Sequence, residues 1–553
     1  MVIIKLVIES LAMAALLTAV PVFALEVTRF GAVPNDGQDD TAAFLAAFKE
    51  AQAKSDKRIV IPRGRYDLRA DGNPARPDAL FPIAGVDGLI IDGQGAELMM
   101  TGKAAIFAFA NCQNVTVSGL TVDWARPPFS EGTVIATAPR HFDVKVVDAY
   151  PVKGGEPVGA FMSYHPDTRL PDGRDLDVYE GVERTELIAP QVLRVHLKWE
   201  IPVPVGKLLV LRHQVYGCHL FGFYRCANVV VSNIAVYCAP GMGLVGMVST
   251  NVSLQRFNVQ MRPGSGHLMS ATADATHFSG CKGTVLLEDC TFEGMGDDGV
   301  NIKSGLYLSV CKRVDDHTVL AQHNLKFADL PDAGDTLELA HTNTLSAFAA
   351  GKVRQAKLEP GEGNVHRVEF AEPLPDELRE GDLLGNASRL AKLRMRRCTV
   401  RANRARGVLC QTRDALIEDC TFQNCTSAGV LVLTEAAHFY ESIGTRNVTV
   451  RHNRFENCNR GAAATEGALC AVAWLKGFAY PPKPGVHRDV TMEGNRITDT
   501  DESGLFAVAV DGLTLRGNRI ERHGLRAARP HGGKAIWVQD CARVVVEDNT
   551  PVK

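Results

Sequence analysis

The chain has 553 residues, with 60 Lys and Arg against 63 Asp and Glu, a formal net charge of −3 and 46% hydrophobic residues. That apolar content and near-balanced charge exclude a disordered chain. With no basic excess to neutralise phosphates, nucleic acid is not an expected partner.

Fifty glycines and 27 prolines point to many turns and few long helices. Lys5 precedes an apolar run from Leu11 to Phe23 that closes on Val22-Phe23-Ala24. This is the layout of a secretory signal peptide, so residues 1–24 are read as a signal. The mature chain is expected from near Leu25, in a periplasmic or secreted location. No later run of 18 uncharged apolar residues occurs, so no membrane span is expected.

Residues 25–124 read as a cap and the first coils. Phe30-Gly31-Ala32-Val33-Pro34-Asn35-Asp36-Gly37-Gln38-Asp39-Asp40-Thr41 leads into an amphipathic stretch near Ala42–Ala53, then a strand at Ile59–Pro62. The segment resembles the cap of pectate-lyase-like β-helix proteins, whose helix covers an otherwise open end of the core. Asp36, Asp39 and Asp40 read as turn and N-cap residues.

One pattern then recurs, apolar-x-apolar-x-x-(Cys/Asn/small)-x-apolar. It begins at Val115, Val229, Val252, Val285, Leu393, Ala415, Val448, Val490, Leu513 and Val544. Its clean spacings are 22 and 23 residues, as between Leu393 and Ala415 or Val490 and Leu513. Period-2 alternation at that repeat length predicts an all-β fold, a right-handed parallel β-helix whose coils must stack to bury their apolar faces. Leucine-rich repeats share the period, but their consensus and helical half are absent. The sixth position is Cys290, Cys398, Cys420, Asn453, Asn495, Asn518 and Asn549. Stacked, these predict an internal ladder, with asparagines bonding between coils and the cysteines mostly free, buried thiols. No Cys-x-x-Cys occurs, which disfavours zinc.

Two stretches break the pattern, 125–217 and 305–391, leaving coils at 218–304 and 392–553. Both contain strand-like runs, such as Val192–Leu197 and Thr336–Leu339, between Gly-Asp and Pro turns. They are read as small β-barrel-like subdomains that wall a cleft or make a homodimer contact.

The chemistry concentrates at Ala273–Phe278 and Gly296–Lys303. Aligning Asp274 with Asp298, one coil of 24 residues on, brings Thr276 to Val300 and Phe278 to Ile302 facing inward. His277 and Asn301 then face outward. With coils about 4.8 Å apart, Asp274, Asp297 and Asp298 gather on one outer face. Mutual repulsion raises at least one pKa, giving the unequal carboxyl groups that glycosidic acid and base catalysis needs. Calcium binding is a competing use of such a cluster, and a plain Asp-Gly turn is another. Matching Gly299 with Gly407 and Gly429 puts Arg406 at the Asp298 position and Gln411 after Lys303. The candidate sugar cleft is His277, Asn301, Lys303, Arg406, Gln411 and Glu435. Trp474 offers a stacking face, though core packing suits it better.

At these residues the sequence resembles glycoside hydrolase family 110, the α-1,3-galactosidases that include blood-group-B-cleaving enzymes. The matching core is Asp274-Ala275-Thr276-His277-Phe278, Cys281, Gly283, Glu288, Cys290, Phe292 and Asp297-Asp298-Gly299-x-Asn301. The resemblance implies an exo-acting, inverting hydrolase that removes terminal α-1,3-linked galactose from an oligosaccharide or glycoconjugate, with no cofactor or metal. It implies Asp297 as the general acid, with Asp274 and Asp298 holding and activating water. Inversion predicts acid and base carboxyl groups roughly 6.5–9.5 Å apart. The layout is also similar to polygalacturonases, but their Asn-Thr-Asp, Gly-His-Gly and Arg-x-Lys motifs are missing. A polygalacturonase- or lyase-like enzyme and a non-catalytic glycan-binding β-helix are the alternatives.

Overall fold

The computed structural model describes residues 24–53, 57–70, 79–172, 175–323, 330–361, 363–461, 466–526 and 533–552. The signal-peptide expectation, apart from Ala24, lies outside these residues. No helix among them is long and apolar enough to cross a membrane.

The repeats stack in a single register. Val115 pairs with Val229, Val229 with Val252, Val252 with Val285 and Val285 with Leu393. Ala415 pairs with Val448, Val448 with Val490, Val490 with Leu513 and Leu513 with Val544. All these pairings are parallel, and the described residues form a 21-stranded sheet and an 11-stranded sheet that together wrap one solenoid. Alternate residues such as Val229 and Val231 are buried inside it, as a period of two requires. Aromatic rings stack from coil to coil within the core. Phe109 lies 4.7 Å from Phe223, and Phe422 lies 5.0 Å from Phe455, between ring centroids.

The bend between paired strands carries the ladder. Gly494 and Gly517, just before Asn495 and Asn518, have φ of 61° and 62°, a left-handed turn that glycine makes without a Cβ clash. Asn495 Oδ1 accepts from Asn453 N at 3.0 Å and Nδ2 at 3.1 Å. Asn495 Nδ2 in turn donates to Val450 O at 2.9 Å and Asn518 Oδ1 at 3.0 Å. Asn518 repeats the arrangement with Asn549. At the other end of the row Cys420 N donates to Asn453 Oδ1 at 2.9 Å. Twelve of the fourteen cysteines are buried, and Cys290, Cys398 and Cys420 of the row are free thiols.

The N-terminal end is covered by helix Thr41–Ala53, which buries Phe44, Ala47, Phe48 and Ala51. Phe48 stacks on Phe81 at 4.6 Å. Asp36, Asp39 and Asp40 accept from nearby backbone N–H groups of Gln38, Thr41 and Val33, so they act as turn and cap residues.

The inserts differ from each other. The first is a seven-stranded antiparallel sheet running from Phe129 to Arg212 in sequence, with its two end strands, Asp177–Tyr179 and Val182–Ala189, not paired to one another. It is an open sheet, not the barrel expected. The second closes, its six strands between Leu308 and Asn386 forming a barrel around its own apolar cluster.

The ladder asparagines hydrogen-bond buried backbone groups of the neighbouring coils. Asn495→Ala strips the acceptor from Asn453 N and Nδ2 and should destabilise the protein by about 1–3 kcal/mol. Urea denaturation of the variant beside wild type measures this.

Candidate active site

Strand Thr276–Ser279 pairs with Val300–Lys303, placing Thr276 beside Val300, His277 beside Asn301 and Phe278 beside Ile302. Val300–Lys303 then pairs with Val408–Gln411. Only glycine permits the approach just before these strands. A Cβ on Gly299 would meet Gly407 O at 2.6 Å and Val400 Cγ1 at 2.5 Å. The residues entering the strands therefore stand at one level on neighbouring coils, and these are Asp274, Asp298 and Arg406.

One oxygen from each of Asp274, Asp297 and Asp298 lies within 4.8 Å of the others, and the three residues are only 3%, 9% and 1% exposed. Asp298 N donates to Asp274 Oδ1 at 3.2 Å. The other Asp274 oxygen is 2.8 Å from His277 Nδ1. Arg406 grips Asp298 twice, through its backbone N at 2.9 Å and Nη2 at 2.8 Å. Asn301 Nδ2 adds a longer contact to Asp298 Oδ2 at 3.4 Å. Asp297 points elsewhere, as alternation demands. It accepts from Tyr216 Oη at 2.6 Å and Arg404 Nη1 at 2.9 Å.

These surroundings divide the carboxyl groups. Burial pushes Asp274 well above the usual carboxylate range, and the charge of Asp297 adds to it. Burial likewise raises Asp298 against the opposing pull of Arg406. For Asp297 burial is outweighed by Arg404, Arg406 and the Tyr216 hydrogen bond, so it is held below its ordinary value. Burial, helped by Lys303, brings His277 down to about 3; it is neutral at neutral pH. The cluster is close enough to hold a cation, but guanidiniums already pair with Asp297 and Asp298. That donor set suits sugar hydroxyls better than a divalent ion.

Among the sequence candidates, His277, Asn301 and Arg406 contact the aspartates. Lys303 stands one step aside and donates from Nζ to Glu441 Oε1 at 2.6 Å. Gln411 follows the expected register opposite Lys303, but it has no exposed surface and cannot line an open cleft. Glu435 needs a correction. Its two carboxylate oxygens accept from the backbone N–H groups of Ala437, His438, Phe439 and Glu441. It shapes the loop that delivers Glu441 and does not face the cleft. Trp474 is partly exposed, edge-on to Phe478 at 5.7 Å.

Several site residues escaped the sequence reading. Tyr216, 47% exposed, lies at the end of the first insert, and Asp177 and Tyr179 lie on one of its strands. Arg404 was within reach of the register, two residues before Arg406. The insert residues had no periodic signal to betray them.

The raised Asp274 carboxyl has a consequence for stability. Its folded pKa lies above the unfolded one, so ionisation is penalised by folding. The penalty is absent below the unfolded pKa and grows as pH rises through the folded value. Asp274→Asn keeps the Oδ1 acceptor and removes the charge. It should raise the melting temperature at pH 8 and lose most of that gain at pH 4, as thermal denaturation at the two pH values would record.

Residues 383–474 match the family described as right handed beta helix region, which agrees with the parallel coils. Solved structures superpose more loosely; the A-module of a mannuronan C-5 epimerase from Azotobacter vinelandii gives a TM-score of 0.43 at 13% identity, covering 95% of this chain and 98% of that one. Curated relatives align along nearly the whole of this chain. Alpha-1,3-galactosidase A of Bacteroides fragilis (strain ATCC 25285) is 26% identical, covering 94% of this chain and 91% of that protein. Alpha-1,3-galactosidase A of Shewanella woodyi is 26% identical over 95% and 90% of the two chains. Alpha-1,3-galactosidase B of Akkermansia muciniphila is 27% identical, with 95% of this chain and 69% of that protein aligned. Along nearly its whole length, then, the protein is similar to proteins named α-1,3-galactosidases, in keeping with the glycoside hydrolase family 110 that its aspartate motif resembles.

Proposed function

We propose that this protein is an exo-acting, inverting glycoside hydrolase that removes terminal α-1,3-linked galactose from glycans. The observation that carries the reading is the buried trio Asp274, Asp297 and Asp298 in a chain whose relatives are named α-1,3-galactosidases. Two walls favour end-on binding of a single terminal sugar. Tyr216, at the end of the first insert, closes on Asp297. The loop carrying Glu441 closes on Lys303.

In this reading Asp297 protonates the glycosidic oxygen as its bond to the sugar C1 breaks. Water adds to C1 from the opposite face and gives its proton to the Asp274–Asp298 pair. Asp297, held by Arg404 and Tyr216, is the most readily ionised of the three, and burial favours the proton on the other two. The proton that Asp297 gives to the leaving oxygen is drawn from this pair, and the one released by the attacking water replaces it there. Inversion is carried by the family resemblance. His277, Asn301, Arg406, Lys303 and Glu441 supply donors and acceptors for the sugar hydroxyls. The signal-peptide pattern makes export part of the proposal.

Wild type incubated with an α-1,3-galactobioside should release β-galactose first by proton NMR. First release of the α anomer overturns inversion, and no release overturns the galactosidase reading. Asp297→Asn should lower kcat on this substrate by roughly 10²–10⁴-fold while the circular dichroism spectrum stays that of wild type.

A further inference from the structure

The first insert reaches the aspartates through a chain of charges. Arg404 donates from Nε to Asp177 Oδ2 at 2.7 Å and from Nη1 to Asp297 Oδ1 at 2.9 Å. The other Asp177 oxygen stands 3.5 Å from Nη2 of Arg212, a residue with no exposed surface. Arg212 Nη1 donates to Thr272 O at 3.2 Å and Gly296 O at 3.0 Å. Those carbonyls belong to the turns that carry Asp274 and Asp297. The Tyr179 ring faces both guanidiniums, with its centroid 4.7 Å from Arg212 Cζ and 5.3 Å from Arg404 Cζ.

Asp177 thus sits where the fully buried Arg212 and the partly buried Arg404 meet, and its two carboxylate oxygens reach one guanidinium each. Without it Arg404 would keep its ion pair with Asp297 alone, and Arg212 would keep its carbonyl hydrogen bonds and the Tyr179 ring without a carboxylate in contact. An insert that served merely as a wall would need no such link. Resting on the galactosidase reading, we propose that Asp177 is a positioning residue: from the inserted sheet it fixes Arg404, and through it the side chain that protonates the leaving oxygen.

The charged and titratable groups facing Asp297 are Arg404, Arg406, Arg212, Tyr216, Tyr179, His277, Asp274 and Asp298. Loss of the Asp177 charge leaves the Arg404 cation uncompensated beside Asp297, which then releases its proton at lower pH. The alkaline limb of the pH profile, set by the protonated acid, moves down.

The test compares two substrates. The α-1,3-galactobioside has a leaving alkoxide that must be protonated, whereas 2,4-dinitrophenyl α-galactoside departs without a proton. Asp177→Asn should lose roughly a hundredfold in kcat on the first and less than about threefold on the second, with the alkaline limb shifted down. Asp177→Glu, which keeps the charge, should hold the limb near its wild-type position. Should the Asn variant not fold, Asp177→Glu is read alone, and an equal loss on both substrates counts against the proposal. Equal losses for Asp177→Asn with an unmoved limb, or no loss at all, overturn the positioning role and leave the galactosidase reading standing. If wild type cleaves neither substrate, the galactosidase reading falls first and the positioning role with it.

Discussion

Stacking parallel strands about 4.8 Å apart is the constraint from which the site follows. Residues a coil apart in sequence become neighbours, so a pattern that repeats apolar residues inside also repeats whatever lies outside. Here the outer row brings Asp274 over Asp298 and Asp298 over Arg406. Two carboxylates held that close and that deeply buried are unstable as a pair of anions. The next coil answers with Arg406, and the neighbouring Arg404 answers Asp297. The unequal proton affinities of the three aspartates are a by-product of coil geometry and of which cations sit on the following turn.

The solenoid alone leaves the cluster one-sided. The first insert returns to it with Tyr216 and the Asp177–Arg404 pair, while the turn after Thr434 folds back to set Glu441 against Lys303. That turn is held by Glu435, whose carboxylate collects four backbone N–H groups. Coils supply the three aspartates, and the departures from the coils supply their surroundings.

What could be read beforehand divides along the same line. Periodic positions were legible. The valine rows, the asparagine ladder and the Asp274–Asp298 juxtaposition all follow from counting residues per coil. Glu435 was misassigned because counting assumes that the strand continues, and there the chain leaves it. Asp177, Tyr179 and Tyr216 were invisible because the insert has its own antiparallel register, unrelated to the solenoid period. Gln411 kept its place in the row, yet burial removed it from the cleft, and a linear pattern does not report what covers a position.

The pairing of Val285 with Leu393 spans an entire barrel without disturbing the row on either side. Length changes in this fold are therefore judged by phase alone. A whole extra turn, or a self-contained module spliced at a bend, leaves inside and outside where they were. One surplus residue within a strand would exchange them. Variation among homologues should accordingly arrive in large, bend-located blocks, and the positions most open to grafting a foreign domain are the two that nature has already used.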